Sequence, residues 1–445
     1  MKERLANLAQ ALRLPDVRRR LVFVMLMFAV YVACAHVALP GVDKKALESF
    51  FQSTGLGFAD MINKFAGGSL KRFSVLALGI MPYINASIIF QLLGIAVPAI
   101  EELQKEGEYG RKKIAQWTKY LTVILAIMQA GGMIAMFQGK GVFTAGLPVK
   151  LFDIAMMTSG TMFLYWLGEQ ITDKGIGQGI SLLIFCGIMT AMPEDIAQTI
   201  QLWKGGTIHI LNILFLLVIF LATVYLIVIV QQAQRKIPVQ YAKRVRGHRV
   251  YGGSSSFLPL RVNAAGVIPI IFAVSILMFP STIISFLKSE RIVSAIASTG
   301  LSEQSVYNAF FYIQLWSEPG RSPVASVLYF ILVIVFTYFY TTVTFNPEQI
   351  AEDLQKNGGS VPGIRPGQAT RDYLDRILYR ITLAGAIFLG FIAIIQYYVG
   401  QVTGVTTFGL VGGTSLLIVV GVALDTMQQV EAQLLMREYK GFLDK

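Results

Sequence analysis

Charge is scarce in this chain, and scarcest where the chain is longest and most apolar. Only 14 % of its residues are charged, against about a quarter in soluble domains, which excludes an ordinary water-soluble fold. Cysteine is nearly absent. Cys34 and Cys186 both lie inside apolar runs, which rules out a disulfide framework or a cysteine metal site and leaves packing as their simplest role. Histidine is as rare: His36, His209 and His248 stand near run ends or in a basic loop. None has a carboxylate or cysteine at ligand spacing, so no metal and no cofactor are expected. A nucleotide site is missing too. Gly139-Lys140 is followed by Gly141 rather than Ser or Thr, and TDKGIGQG (172–179) has no preceding strand and lacks the dinucleotide spacing. A charge at the bilayer centre costs roughly 2.5–3.5 kcal/mol, and ion-coupled carriers retain such groups because they need them. Here Glu169, Asp173 and Asp425 fall near run ends, as hydrated end-of-helix carboxylates. These absences argue against an enzyme and against a proton-driven carrier.

What the chain has in abundance is apolar length. Hydrophobic residues make up 54 %, and ten runs read as membrane-crossing helices: residues 21–39, 73–98, 114–137, 152–171, 180–192, 210–230, 264–287, 324–345, 376–398 and 412–427. Residues 180–192 are short for a core of about 30 Å. Counting them as a span is nevertheless required if the basic loops at 107–113 and 235–261 are to lie on one side. The first run is followed by Pro40-Gly41 without a small-residue cleavage site, so it is expected to remain as a span. The net charge of +12 is not a nucleic-acid signature, because most lysines and arginines sit in alternate loops. That placement puts both termini on the cytoplasmic side of a multi-pass protein. Residues 1–20 carry Leu5, Leu8, Ala9 and Leu12 at helical spacing among basic residues, as in an interfacial amphipathic helix. Arg380 is placed to snorkel at the start of the ninth run.

The second run organises the rest. Pro82 in its first half predicts a kink, and Asn85, Ser87 and Gln91 bring polar groups to membrane depth. Ile80, Ile84 and Ile88 form one stripe. A kinked packing helix and the lining of a passage both fit. Five runs on each side of residue 203 give two halves of opposite orientation, and Pro269 matches Pro82 in the second run of its half. Paired interruptions of that kind point to a central pathway. Residues 57–68, GFADMINKFAGG, are too short to span; they fit an external loop helix or a small element packed at a pore mouth. Isoleucines near polar or glycine-rich neighbours (Ile80, Ile84, Ile180, Ile184, Ile271, Ile418) could ring a dewetted constriction, but by pattern alone lipid-facing or helix packing is the favoured reading.

Longer motifs then carry more than periodicity can. ALGIMPYINASIIFQLL (77–93), GEQITDKGIGQGIS (168–181), NAAGVIPIIFA (263–273), FNPEQIAEDLQKNGGSVPGIRPG (345–367) and GGTSLLIVVGVALD (412–425) resemble the SecY family, the channel subunits of bacterial protein-secretion translocons. The resemblance covers all ten runs in order. It implies an all-α polytopic fold of ten transmembrane helices in two inverted five-helix halves, a clamshell around a central pore with a plug. The parts would be a segment at 1–20, halves at 21–202 and 203–428, cytoplasmic loops at about 231–263 and 346–375, and a tail at 429–445. It also implies a pore ring of Ile80, Ile84, Ile180, Ile184, Ile271 and Ile418. The plug would comprise Gly57, Phe58, Asp60, Met61, Ile62, Lys64, Phe65, Gly67 and Gly68, with Asp60 and Lys64 making it more charged than an apolar stopper. A lateral gate between the second and seventh helices would be lined by Pro82, Ser87, Ile88, Gln91, Asn263, Pro269 and Ser275. Arg235, Lys236, Lys243, Arg244, Arg246, Arg249 and Arg365 would form a docking surface for the motor ATPase SecA and the translating ribosome. Other implied partners are the small subunits SecE and SecG, signal sequences, unfolded passengers and lipid, with no nucleic acid beyond the ribosome. The implied location is the bacterial inner membrane. A small-solute transporter with an inverted repeat is the alternative, and it requires a polar midplane binding site.

Overall fold

The computed structural model describes residues 14–43, 45–47, 49, 63, 66–139, 141–143, 146–241, 244–246, 249–251, 255–287, 302–317, 319–320, 322–405 and 413–443. The expected amphipathic segment therefore lies almost wholly outside the described residues.

Helices dominate. In chain order they are α1 (Pro15–Ala35), α2 (Met81–Ala96), α3 (Pro98–Lys105), α4 (Glu108–Gly139), α5 (Leu147–Lys174), α6 (Gly179–Lys204) and α7 (Ile210–Gln232). After a set of strands come α8 (Ile268–Leu287), α9 (Glu303–Ser317), α10 (Pro323–Thr344), α11 (Pro347–Lys356), α12 (Gln368–Thr403) and α13 (Gly413–Leu443). Each of the ten expected spans falls on a helix: α1, α2, α4–α8, α10, α12 and α13. Seven of these pass as bilayer-crossing by length and hydropathy, and the bent pair α2–α3 is an eighth candidate. The remaining two, α1 and α8, are 21 and 20 residues long, about 30 Å each by helical rise.

Proline begins helices here more than it bends them. Pro15, Pro82, Pro98, Pro148, Pro323 and Pro347 each sit in the first two positions of a helix, and Pro269 follows the first residue of α8. A first-turn amide has no intrahelical acceptor, so losing it costs nothing there, and the ring pre-sets φ. This corrects the expectation that Pro82 and Pro269 kink their helices. Residues 73–80 are a chain of turns instead, with Phe73 at φ 47 and Gly79 at φ 57, and Ile80 is the N-cap of α2. The fifth span also differs from expectation. α6 runs through Pro193 to Lys204, 26 residues in all, or about 39 Å, long enough to cross a core of about 30 Å. A tight break separates α2 from α3. Val97 is extended, as a residue before proline prefers to be, and it closes α2 and opens α3.

The all-helical expectation also needs amending in the loop before α8. It contains β1 (Gln234–Tyr241), β2 (Arg244–Arg246), β3 (Arg249–Tyr251) and β4 (Ser255–Arg261), and β5 (Gly359–Ser360) lies after α11. The sheet order is β4-β1-β5, all antiparallel, while β2 and β3 form a separate hairpin. In β1, Ile237 and Val239 are buried and their neighbours exposed, the period-2 pattern of a strand with one covered face.

The described chain divides into two compact units. One comprises Met1–Lys204, Met278–Glu318 and Val422–Lys445; the other comprises Gly205–Leu277 and Pro319–Gly421. The first holds a core of Leu70, Phe73, Ala77, Ala126, Ala130, Phe137 and Met157, with Phe73 edge-on to Phe137. It is knit by close backbone approaches: a Cβ on Gly179 would collide with the Gly168 carbonyl, and one on Gly160 with the Val75 carbonyl. Small residues at such crossings let membrane helices pack backbone to backbone. In the second unit, Ile237 and Leu260 of the sheet pack with Val361, Leu374 and Leu378, fixing the strands onto the start of α12.

Candidate functional site

Within the first unit the most constrained feature is a turn. Of the candidate plug residues, Gly57, Phe58, Asp60, Met61, Ile62, Lys64 and Phe65 lie outside the described residues; Gly67 and Gly68 lie within them. Asn63, buried, closes the turn. Its carbonyl accepts from the Gly68 amide at 2.8 Å, and its side-chain Oδ1 accepts from the Lys71 amide at 2.9 Å. Gly67 and Gly68 have φ +66° and +79°, a conformation glycine adopts without steric penalty. Gly67 is wedged between two helices. A Cβ there would stand 2.8 Å from Tyr31 Oη of α1 and 3.3 Å from Gly187 Cα of α6. Ala66 packs on Gly79, where a Cβ would stand 3.3 Å from its methyl carbon. The turn therefore contacts α6 one turn after Ile184, and the chain one residue before Ile80. Ile80 and Ile184 are buried, whereas Ile84 and Ile180 are half-buried. In the second unit Ile271 is half-buried on α8 and Ile418 is buried on α13.

Sequence reasoning missed a polar cluster beside this turn's helices. Lys119 Nζ on α4 lies 3.0 Å from Glu169 Oε1 of α5, and 4.9 Å over the Tyr165 ring. The Tyr165 hydroxyl donates to Glu169 Oε1. Tyr165 also stacks on Tyr83 of α2 at 4.8 Å, and Thr161 Oγ1 donates to the Gly79 carbonyl at 3.2 Å. Glu169 is thus a partnered carboxylate rather than a simply hydrated helix end. The signal was present in the sequence. Lys119 is the one lysine inside an apolar run, and an intramembrane charge implies a partner; only the fold names Glu169, fifty residues on.

Three of the candidate gate residues share a property. Gln91 Oε1 on α2, both side-chain atoms of Asn263, and Ser275 Oγ on α8 are buried without a hydrogen-bond partner among the described residues. Such groups cost roughly 1–3 kcal/mol each when left unpaired, so their presence needs a reason. Pro82 and Pro269 are buried at their helix starts, Ser87 is half-buried, and Ile88 is 6 % exposed.

The basic residues fall on the second unit's sheet. Arg235 and Lys236 are exposed on β1, opposite Leu260 and Pro259 of β4. Arg244, Arg246 and Arg249 lie on the β2–β3 hairpin; Lys243 and His248 lie outside the described residues. Pairing of Gln240 with Ser360 and Tyr241 with Gly359 joins this loop to the one carrying Arg365, so the fold makes the two basic loops one platform. Arg365 is exposed. Its carbonyl accepts from Thr370 Oγ1 at 2.9 Å, which anchors the backbone of the loop.

Comparison with known proteins places this geometry. A family model described as SecY matches residues 74–427. The SecY subunit of the protein translocase of Halalkalibacterium halodurans is 44 % identical, over 98 % of this chain and 99 % of its own. That of Escherichia coli K12 is 42 % identical, over 97 % and 95 %. Among solved structures, a protein-conducting channel superposes with a TM-score of 0.61 at 18 % identity, covering 94 % of this chain and 93 % of its own. Sec61 in a canine ribosome–channel complex gives 0.58 at 18 % identity, with the same coverage.

Proposed function

The chain belongs to the SecY family, and on that premise we propose that it is the protein-conducting channel of a membrane translocon. It passes unfolded polypeptides across the bilayer and releases apolar segments sideways into lipid. The observation that carries the reading is the seat of the Gly67–Gly68 turn, held against Tyr31, Gly187 and Gly79 beside Ile80 and Ile184. A plug must end in a fixed tether while its body is free to leave. A glycine turn with Gly67 wedged between two helices provides the tether.

Ile80, Ile84, Ile180, Ile184, Ile271 and Ile418 would form the constriction. Branched apolar side chains exclude hydrated ions by dewetting and yield to a passing chain. Helices α2 and α8 would border the gate. Polar groups at Gln91, Asn263 and Ser275, on these helices and the turn before α8, have no partner among the described residues; they suit a boundary that must open onto a peptide backbone, since a gate sealed by satisfied polar pairs would resist parting. The channel itself supplies no chemical step. Driving energy would come from SecA, a translating ribosome or the membrane potential, with the motor or ribosome docked on the platform carrying Arg235, Lys236 and Arg365. SecE and SecG would complete the complex, in the bacterial inner membrane with both chain ends cytoplasmic.

Site-specific photocrosslinking from positions 84 and 271 to a stalled secretory precursor tests this reading. Crosslinks from both to the passenger's mature region are expected. A precursor that binds the complex yet reacts at neither position overturns the ring assignment.

A further inference from the structure

The second unit holds a cavity that the channel reading does not use. It has a volume of about 680 Å³ and lies between the end of α10 and the beginning of α12. Tyr338 and Tyr379 form one wall, their rings 4.9 Å apart, with the Tyr338 hydroxyl donating to the Tyr379 carbonyl at 3.1 Å. Arg376 and Arg380 line it, one helical turn apart. Neither has an acidic or hydrogen-bonding side-chain partner among the described residues. The lining includes one acid, Asp375, and it already faces Arg371 Nε at 3.9 Å. The cavity therefore carries two guanidinium groups against a single carboxylate, and that carboxylate is shared with Arg371.

Below the arginines the same face of α12 turns apolar. Leu383, Ile387 and Phe391 continue the stripe of Arg376 and Arg380 at spacings of three and four residues, and they are 44 %, 48 % and 57 % exposed. Eleven residues separate Arg380 from Phe391, about 16 Å along the axis, close to half of a bilayer core of about 30 Å. Arginine that merely snorkels to water needs no cavity. A paired cationic pocket on top of an exposed apolar stripe one leaflet long has the shape of a phospholipid.

We propose that this cavity binds the headgroup phosphate of an anionic phospholipid, with Arg376 and Arg380 as its ligands and an acyl chain lying along Leu383, Ile387 and Phe391. Guanidinium groups suit the site because their planar fork meets two phosphate oxygens at once. Two positive charges favour a lipid of net negative charge over a zwitterionic one, as basic pockets between membrane helices do generally.

The test uses the full chain, with any subunits that copurify, in nanodiscs of phosphatidylglycerol and phosphatidylcholine. A photoreactive residue at position 383 should label phosphatidylglycerol, and a tenfold excess of soluble glycerol phosphate should not reduce the labelling. Arg376→Gln with Arg380→Gln should lower labelling at least threefold. Labelling of phosphatidylcholine in proportion to its abundance would overturn the proposal, as would suppression by glycerol phosphate, which would make this a soluble-anion site. Crosslinks to a protein instead of lipid would also overturn it. Because position 383 is probed with both arginines intact, the lipid assignment is tested even if the double variant fails to fold.

Discussion

Replacing Gly67 by alanine tests the tether most directly. The backbone there has φ +66°, and a left-handed conformation costs a residue with a Cβ roughly 1–2 kcal/mol. The new methyl would also meet Tyr31 Oη at 2.8 Å and Gly187 Cα at 3.3 Å. Tyr31 is 2 % exposed and so has little room to withdraw, and the second neighbour is helix backbone. Overpacking of this kind adds about 1–3 kcal/mol. If only about 2 kcal/mol of the total falls on the seated state, the unseated population rises on the order of 30-fold, at tenfold per 1.4 kcal/mol. In planar bilayers without precursor, the resting frequency of channel openings should rise by a comparable factor. Gly68→Ala is the matched comparison. Its φ of +79° imposes the same backbone cost, but the nearest atom to a Cβ is the Arg72 guanidinium carbon at 3.8 Å, so its effect should be several-fold smaller. Adding Tyr31→Phe to Gly67→Ala removes the closest clash and should recover part of the closed state. Equal leak from the two glycine variants would show that the contacts with α1 and α6 do not seat the turn. Wild-type conductance from Gly67→Ala, with the protein folded, would remove the tether altogether.

Gly179→Ala should act on stability instead. Its Cβ would run into the Gly168 carbonyl and stand 2.9 Å from Thr172 Oγ1, which accepts the Gly179 amide. A loss of about 3 kcal/mol is expected from forcing α5 and α6 apart, read as a lower unfolding temperature in detergent; an unchanged temperature would show that the crossing relaxes freely. Arg365→Glu should leave expression and melting unchanged, because the side chain is exposed and its loop is held through the backbone. Motor-driven secretion should nevertheless fall more than about tenfold, since opposing like charges at a docking surface costs several kcal/mol. Parallel losses of protein and secretion would assign Arg365 to folding.

Hydropathy and charge placement belong to the local sequence, and they determined the parts of this protein that local physics governs. All ten spans follow from runs of apolar residues, because a bilayer demands continuous apolar length whatever surrounds it. The orientation expected from alternate basic loops rests on the same local signal, and the five long motifs carried the family. Proline was the first place where local reading failed. Pro82 and Pro269 lie within apolar runs, yet the helices begin at Met81 and Ile268. A missing amide is tolerated at a first turn as readily as it breaks an interior one, and only the preceding turns decide between the two. Pro193 went the other way and was absorbed inside α6. The remaining features are meetings of residues distant in sequence. Lys119 finds Glu169 across fifty residues, β5 pairs with β1 across more than a hundred, and Gly67 reaches Gly187 because both lack a side chain at one crossing. Arg376 and Arg380 read along the chain as interfacial cations. That they line one cavity in excess over its single carboxylate became visible only when α10 and α12 were packed together, because charges are balanced or left in excess by neighbours in space.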